Sequence, residues 1–313
     1  MNDSTVIQFM VIAIGAGTPL VYAAIGEILA ERGGVMNLGV EGMMLVGAVT
    51  AYWATAETGS TWLGVAAGAM AGMAMASLHA FLSVTLRANQ IVSGIALVIL
   101  GTGIAAYLGS AGPKLVDRPS GGTFEPILSG GLADLPVVGP LVFGHDLLVY
   151  GSWAVVALAS WYLFRTRSGL QLRAVGEDPA TADASGIPVA RIRYVHVLIG
   201  GAGAGVAGAY LTLALFGSWS EELSNGTGWI AIALVIFSAW RPVRALVAAY
   251  LFGALTSLGF NLQLLEVPIP LDLLAILPFV MTLVALMVVS NLPSARRFGA
   301  PAALAEPYWR EQR

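Results

Sequence analysis

The chain has 313 residues, 57% of them hydrophobic and 11% charged, with a mean hydropathy of +0.80 and a formal net charge of −3. That balance is too apolar and too sparsely charged for a water-soluble globular domain and describes a polytopic membrane protein with no nucleic-acid partner. Cysteine is absent, which removes disulfides, thiolate catalysis and zinc–thiolate sites.

In chain order, apolar runs between polar boundaries predict an all-α bundle of nine to ten spans in one transmembrane domain covering 1–313. Nine spans can be placed, near residues 5–28, 35–56, 61–86, 90–110, 146–164, 194–216, 227–240, 243–265 and 271–291. The first follows an opening without a basic stretch and is too long for a signal-peptide core, so it is expected to be retained. The second carries ERGGVMNLGVEGMMLVGA, in which Asn37 and Glu41 stand four apart and would share one helix face. Glu41 is nearly the only acid well inside a span, and an ionisable residue there must be paired or face a wet cavity. Two readings stay open: a structural knot with an arginine or with helix-end amides, or a substrate contact. Gly33, Gly34, Gly39 and Gly42 would let the chain turn tightly and re-enter the membrane, giving this span a broken start.

The third span repeats Gly64, Gly68, Gly72 and Ala76 every fourth residue, a small-residue face for close helix packing, and Gly201, Gly205 and Ala209 form a second such row in the sixth. The fourth opens on the polar LRANQ, with Arg87, Asn89 and Gln90. Residues 111–145 hold five prolines with Asp117, Glu125 and Asp134 and suit an irregular external loop. On the other side, about 168–190 is too polar for lipid, and Asp178, Pro179 and a Gly186 stop predict a short helix of about two turns. The seventh span, from Gly226 to Trp240, covers roughly 22 Å and falls short of the bilayer core. NQIVSGIALVI from Asn89 and NGTGWIAIALVI from Asn225 resemble each other and would run in opposite directions, as inverted repeats of transporters do, although chance serves equally well in so apolar a chain.

Thirteen arginines, including Arg32, Arg87, Arg165, Arg173, Arg191, Arg193 and Arg310, fall on one side of this topology and only Lys114 and Arg118 on the other. The positive-inside rule then places the N-terminus outside and the C-terminus in the cytoplasm. Lys114 is the only lysine, in AGPKLV, so no phosphate-cradling G-x-x-x-x-G-K-[ST] loop exists here. The three histidines stand alone without metal-ligand spacing, so no metal site is expected, and no nucleophile elbow or paired-carboxylate site is present.

Four blocks, GEILAERGGVMNLGVEGMMLVGA, LRANQIVSGIAL, GLQLRAVGEDPATADASGI and GTGWIAIALVIFSAWRP, spread in order over the whole chain, resemble permeases of ABC importers for nucleosides and simple sugars. The nucleoside-type branch is the nearest in appearance; ribose-type and branched-chain amino-acid-type permeases look more distant. The resemblance implies a type II importer in the bacterial plasma membrane: two permease subunits, alike or different, a cytoplasmic ATP-binding subunit and an extracytoplasmic substrate-binding protein. This chain would be non-catalytic and hold no cofactor, with ATP and Mg bound by the partner subunit. The short helix would be the coupling helix that docks on the ATPase, with Glu177, Asp178, Ala182, Asp183 and Gly186 as its candidates, flanked by Arg173 and Arg191. The external loop with Glu221 and Glu222 would face the binding protein. Asn89, Gln90, Ser93, Asn225, Trp229, Asn261 and Gln263 are the pathway candidates, because amides bond hydroxyls and base edges and an indole can stack on a ring. Each has a plainer reading: Trp229 as an interfacial belt residue, the amides as helix-to-helix bonds. A stand-alone secondary transporter or channel, a permease for amino acids, and a purely structural membrane subunit are the competing expectations.

Overall fold

A computed structural model describes residues 3–111, 122–128, 130–221, 223–264, 276–284, 287 and 299–310; side chains of 3–5, 111 and 259–264 are not among those described. Among the described residues every regular element is a helix: α1 Asp3–Arg32, α2 Val40–Thr58, α3 Thr61–Ala80, α4 Gln90–Ala111, α5 Leu147–Arg165, α6 Arg167–Glu177, α7 Pro179–Ala184, α8 Val189–Tyr210, α9 Thr227–Phe237 and α10 Pro242–Leu264, with a further helical stretch at 276–284. Single π-turns, Phe81–Thr85 and Leu211–Leu215, prolong α3 and α8. Among the described residues, five helical stretches, Val6–Arg32, Thr61–Thr85, Gln90–Ser110, Leu147–Arg165 and Val189–Leu215, are long and apolar enough to cross a membrane unaided.

The centre of the bundle is α8, packed on α1, α2 and α3, with α10, α9 and α5 also against α1 and α4 against α2. The two small-residue rows meet each other there. A Cβ built on Gly72 would lie 2.2 Å from the carbonyl oxygen of Gly201, and one on Gly205 would lie 2.1 Å from that of Gly68, so no side chain fits between α3 and α8. In lipid, where apolar surface gains nothing by leaving its solvent, such backbone-to-backbone contact supplies the attraction between helices.

Where residues are described, the helices fall close to the predicted spans, with three corrections; of the ninth span, 271–291, only 276–284 and 287 are among the described residues. The second helix begins at Val40, not at residue 35, because 33–39 is non-helical. The sixth begins at Val189, so Arg193 lies inside it, 2% exposed, its Nε donating to the Gly33 carbonyl (3.1 Å) and Nη1 to that of Glu306 (3.2 Å). The loop expected at 111–145 is not irregular throughout: short helical turns occupy Gly131–Asp134 and Gly139–Phe143.

Candidate functional site

The run that sets Asn37 and Glu41 among glycines builds a break in the membrane-spanning backbone. Gly34 adopts φ +83°, a conformation open to glycine, and residues 33–39 leave the helix while staying largely buried. Non-helical backbone away from water must find partners, and neighbouring helices supply them as side chains. The Met36 amide donates to Gln90 Oε1 of α4 at 2.8 Å, and the Met36 carbonyl lies 3.0 Å from Nε2 of His79 on α3. The Asn37 amide donates to Glu27 Oε1 of α1 at 2.8 Å. Asn37 Oδ1 in turn accepts from the Gly39 amide at 2.9 Å, the local turn that asparagine side chains favour. That turn corrects the expectation that Asn37 and Glu41 share a helix face: Asn37 ends the non-helical stretch, and only Glu41 stands in the first turn of α2. Gln90→Ala or His79→Ala strips Met36 of one partner; each is expected to lower stability by about 1–2 kcal/mol, read as a lower melting temperature in detergent.

Glu41 caps a second break. Its Oε1 accepts from Ser224 Oγ (2.5 Å) and the Gly226 amide (3.1 Å), and its Oε2 from the Gly228 amide (2.6 Å), so the carboxylate closes the N-terminus of α9. Of the partners the sequence left open, helix-end amides are what it touches. A Cβ on Gly228 would fall 2.6 Å from Glu41 Cα, which fixes how close α9 comes to α2. The other end of α9 is pinned to the end of α1: Trp240 Nε1 donates to Glu31 Oε2 at 2.5 Å, and Arg32 Nη2 reaches the Ala239 and Trp240 carbonyls at 3.4 and 3.3 Å. The 11 residues of α9 rise about 16 Å, so Glu41 lies roughly half a bilayer core of about 30 Å from the α1 end. Two discontinuous helices, α2 and α9, thus start beside one another near mid-membrane.

The second candidate region is α7. Asp178 caps it, with Oδ1 accepting from the Ala180 and Thr181 amides, both at 3.0 Å, and Oδ2 from Thr181 Oγ1 at 2.5 Å; these bonds hold its carboxyl below the ordinary aspartate range. Ala182 is buried with Val175 and Val189, while Ala180, Thr181 and Ala184 are exposed. Gly186 ends the turn at φ +81° with open space around it.

Residues 9–286 match the family described as branched-chain amino acid transport system, permease component. The chain belongs to this permease family. It is 40% identical over 95% of its length to TsgC13 of Haloferax volcanii, provisionally named a glucose ABC transporter permease protein, 96% of which is covered. It is 36% identical to the nucleoside ABC transporter permease protein NupC of Lactococcus lactis, covering 86% of this chain and 88% of that one, and 33% identical to the guanosine ABC transporter permease protein NupQ of Bacillus subtilis, covering 98% and 99%. A solved inward-facing ABC transporter, provisionally of the metal-chelate type, superposes with a TM-score of 0.54 at 17% identity over 90% of this chain and 85% of that one, which speaks to the fold. The permease is therefore the transmembrane subunit of an ABC importer of the type II kind.

The sequence-derived pathway residues of this permease divide sharply. Gln90 and Ser93 are 2% and 5% exposed and turned inward, Gln90 onto Met36 and Ser93 Oγ onto His79 Nδ1 at 3.0 Å. Asn89 is exposed, but its Oδ1 caps α4 by accepting from the Ile91 and Val92 amides. Asn225, at φ +40°, and Trp229, 40% exposed, face outward at the mid-membrane start of α9. Asn261 and Gln263 lie on α10, and their side chains are outside the described residues; Glu222 is outside them altogether, while Glu221 is exposed. Glu177 is exposed with Oε2 accepting from the Ala302 amide at 3.4 Å, Arg173 lies over the Phe164 ring at 5.5 Å, and Arg191 is exposed. Sequence reasoning missed Glu27 and Glu31, four apart on α1 and 1% and 2% exposed, and also His79. The available signal was an ionisable residue inside an apolar helix, which calls for a buried partner.

Proposed function

We propose that this permease carries nucleosides or related purine and ribose compounds inward by ATP-driven alternating access. In this reading it pairs with a second permease subunit, alike or different, and is loaded from outside by a substrate-binding protein. A separate cytoplasmic subunit binds ATP and Mg and docks on α7, the permease itself carrying no cofactor, metal or catalytic group. The N-terminus lies outside the plasma membrane and α6, α7 and residues 299–310 lie in the cytoplasm, as the arginine asymmetry suggests. The observation that carries the coupling reading is the build of α7: six residues, capped at its start, anchored by Ala182 and presenting Ala180, Thr181 and Ala184 outward. In the chain without native cysteine, Ala184→Cys should cross-link to a single cysteine on the ATP-binding subunit, and full substrate uptake by the isolated chain would overturn the reading.

Asn225 and Trp229 line the substrate path in this reading. Polar backbone breaks at membrane depth persist only against protein or a wet cavity, and these two side chains face outward from one. Trp229→Ala is expected to lower uptake about tenfold by removing a stacking surface of roughly 1–2 kcal/mol while leaving assembly intact; unchanged uptake removes Trp229 from the path. Glucose or another simple sugar is the second reading for the cargo, favoured by the name of the relative at 40% identity. Proteoliposomes holding the permease, its ATP-binding subunit and its binding protein decide between them: labelled guanosine should be taken up and out-competed by other nucleosides, whereas uptake of glucose alone would establish the sugar reading.

A further inference from the structure

Residues 299–310 lie across the membrane-bundle end that bears α6 and α7. The Ala303 amide donates to the Gly176 carbonyl at the end of α6 (2.9 Å), and the Ala305 amide to the Gly34 carbonyl at the start of the non-helical stretch (3.3 Å). Leu304 packs against the main core and Tyr308 against the small cluster of Val175, Ala182 and Val189 under α7. The Tyr308 hydroxyl donates to Asp183 Oδ2 at 3.0 Å, and Arg310 Nε pairs with the same oxygen at 3.0 Å. Between these two residues, Trp309 lies under the Arg87 guanidinium, 4.3 Å from the ring centroid.

Asp183 belongs to the helix proposed to meet the ATP-binding subunit, yet its carboxylate is turned back onto this segment. A six-residue helix is not stable alone and cannot carry a push or pull unless something fixes it to the bundle. Residues 299–310 touch α6, α7, the Gly34 turn and Arg87, which precedes α4. Gly34 leads within a few residues to the Met36, Asn37 and Glu41 bonds that hold α2, α4 and α9 together. A cavity of about 440 Å³ beside α7, lined in part by Arg87, Asp183, Arg191, Arg193, Tyr308 and Arg310, is the polar bed of this arrangement: Arg310 is taken by Asp183, Arg87 by Trp309, and Arg193 by two carbonyls.

We infer that residues 299–310 are a strap that makes α7 and the Gly33–Gly39 break move as one body, with Tyr308 and Arg310 as positioning residues for energy coupling. The inference rests on the proposed docking of an ATP-binding subunit at α7. The strap carries displacement of α7 to the start of α2, a route that bypasses the longer path through α8.

The test pairs Tyr308→Phe with Arg310→Ala, which removes both bonds to Asp183 and keeps the aromatic packing. In proteoliposomes with the ATP-binding subunit and binding protein, ATP hydrolysed per solute transported should rise about threefold, the shift expected when two partly exposed bonds are lost, with the ATP-binding subunit still retained. An unchanged or lowered ratio in the double variant overturns the strap. Loss of the ATP-binding subunit from the double variant alone also overturns it, because Tyr308 and Arg310 would then belong to the docking surface. A readout independent of any partner uses spin labels at Ala184→Cys and Ala88→Cys in the full chain: the double variant should broaden the distance distribution. No broadening defeats the strap even if the ATP-binding subunit docks on α7, while broadening in a permease whose wild-type form retains no such subunit keeps the strap and overturns the docking.

Discussion

Replacing Glu41 by Ala is expected to leave almost no folded permease in the membrane. Three donors, the Ser224 hydroxyl and the Gly226 and Gly228 amides, would lose their acceptor where no water replaces it. Hydrogen bonds to a charged group contribute about 1.5–3 kcal/mol each, so the loss is about 4 kcal/mol or more, a large share of what holds a domain folded. Glu41→Gln tests the chemistry separately. Its amide keeps one oxygen but turns an NH2 toward a backbone N–H, and two facing donors repel, for a loss of about 2 kcal/mol. Both are measured by thermal unfolding of detergent-purified protein. A Glu41→Ala variant that melts with the wild type would show that α9 does not depend on this cap.

Gly205→Leu is expected to separate α3 from α8. Even the first carbon of a side chain there would sit 2.1 Å from the Gly68 carbonyl oxygen, and the same spot faces Gly47 and Gly72. Gly205→Ala should cost about 2–3 kcal/mol, as overpacking of a close contact does, and leucine should prevent assembly of the bundle. The matched variant Gly103→Ala, on α4 with nothing within 4 Å of its Cβ, should be silent. The measurement is the yield of monodisperse protein after extraction, with similar yields for Gly205→Leu and wild type as the contrary result.

Much of this architecture was legible from residues. The spans follow from runs of apolar side chains because every membrane helix answers the same solvent, and the glycine rows announced their packing because only glycine permits such approach. The short α7 was written in Asp178, Pro179 and Gly186, a cap, a first-turn proline and a stop. What the sequence withheld was pairing over distance. Nothing near Glu41 names Gly226 and Gly228 as its partners, 185 and 187 positions away. Gln90 and Ser93 look like solute contacts in a string of letters; in three dimensions they hold Met36 and His79. Arg193 read as one more loop arginine until the Gly33 and Glu306 carbonyls gathered around it.

The meeting of two helix beginnings near mid-bilayer has an electrostatic consequence. Each beginning carries about half a positive elementary charge from its aligned peptide dipoles, so α2 and α9 together place roughly +1 at the point where Glu41 contributes one negative charge. The sum is close to zero. If the proposed path runs past this point, a neutral solute with hydroxyls, whether a nucleoside or a sugar, would meet no field barrier there, whereas an ion of either sign would surrender its hydration and gain no countercharge in return.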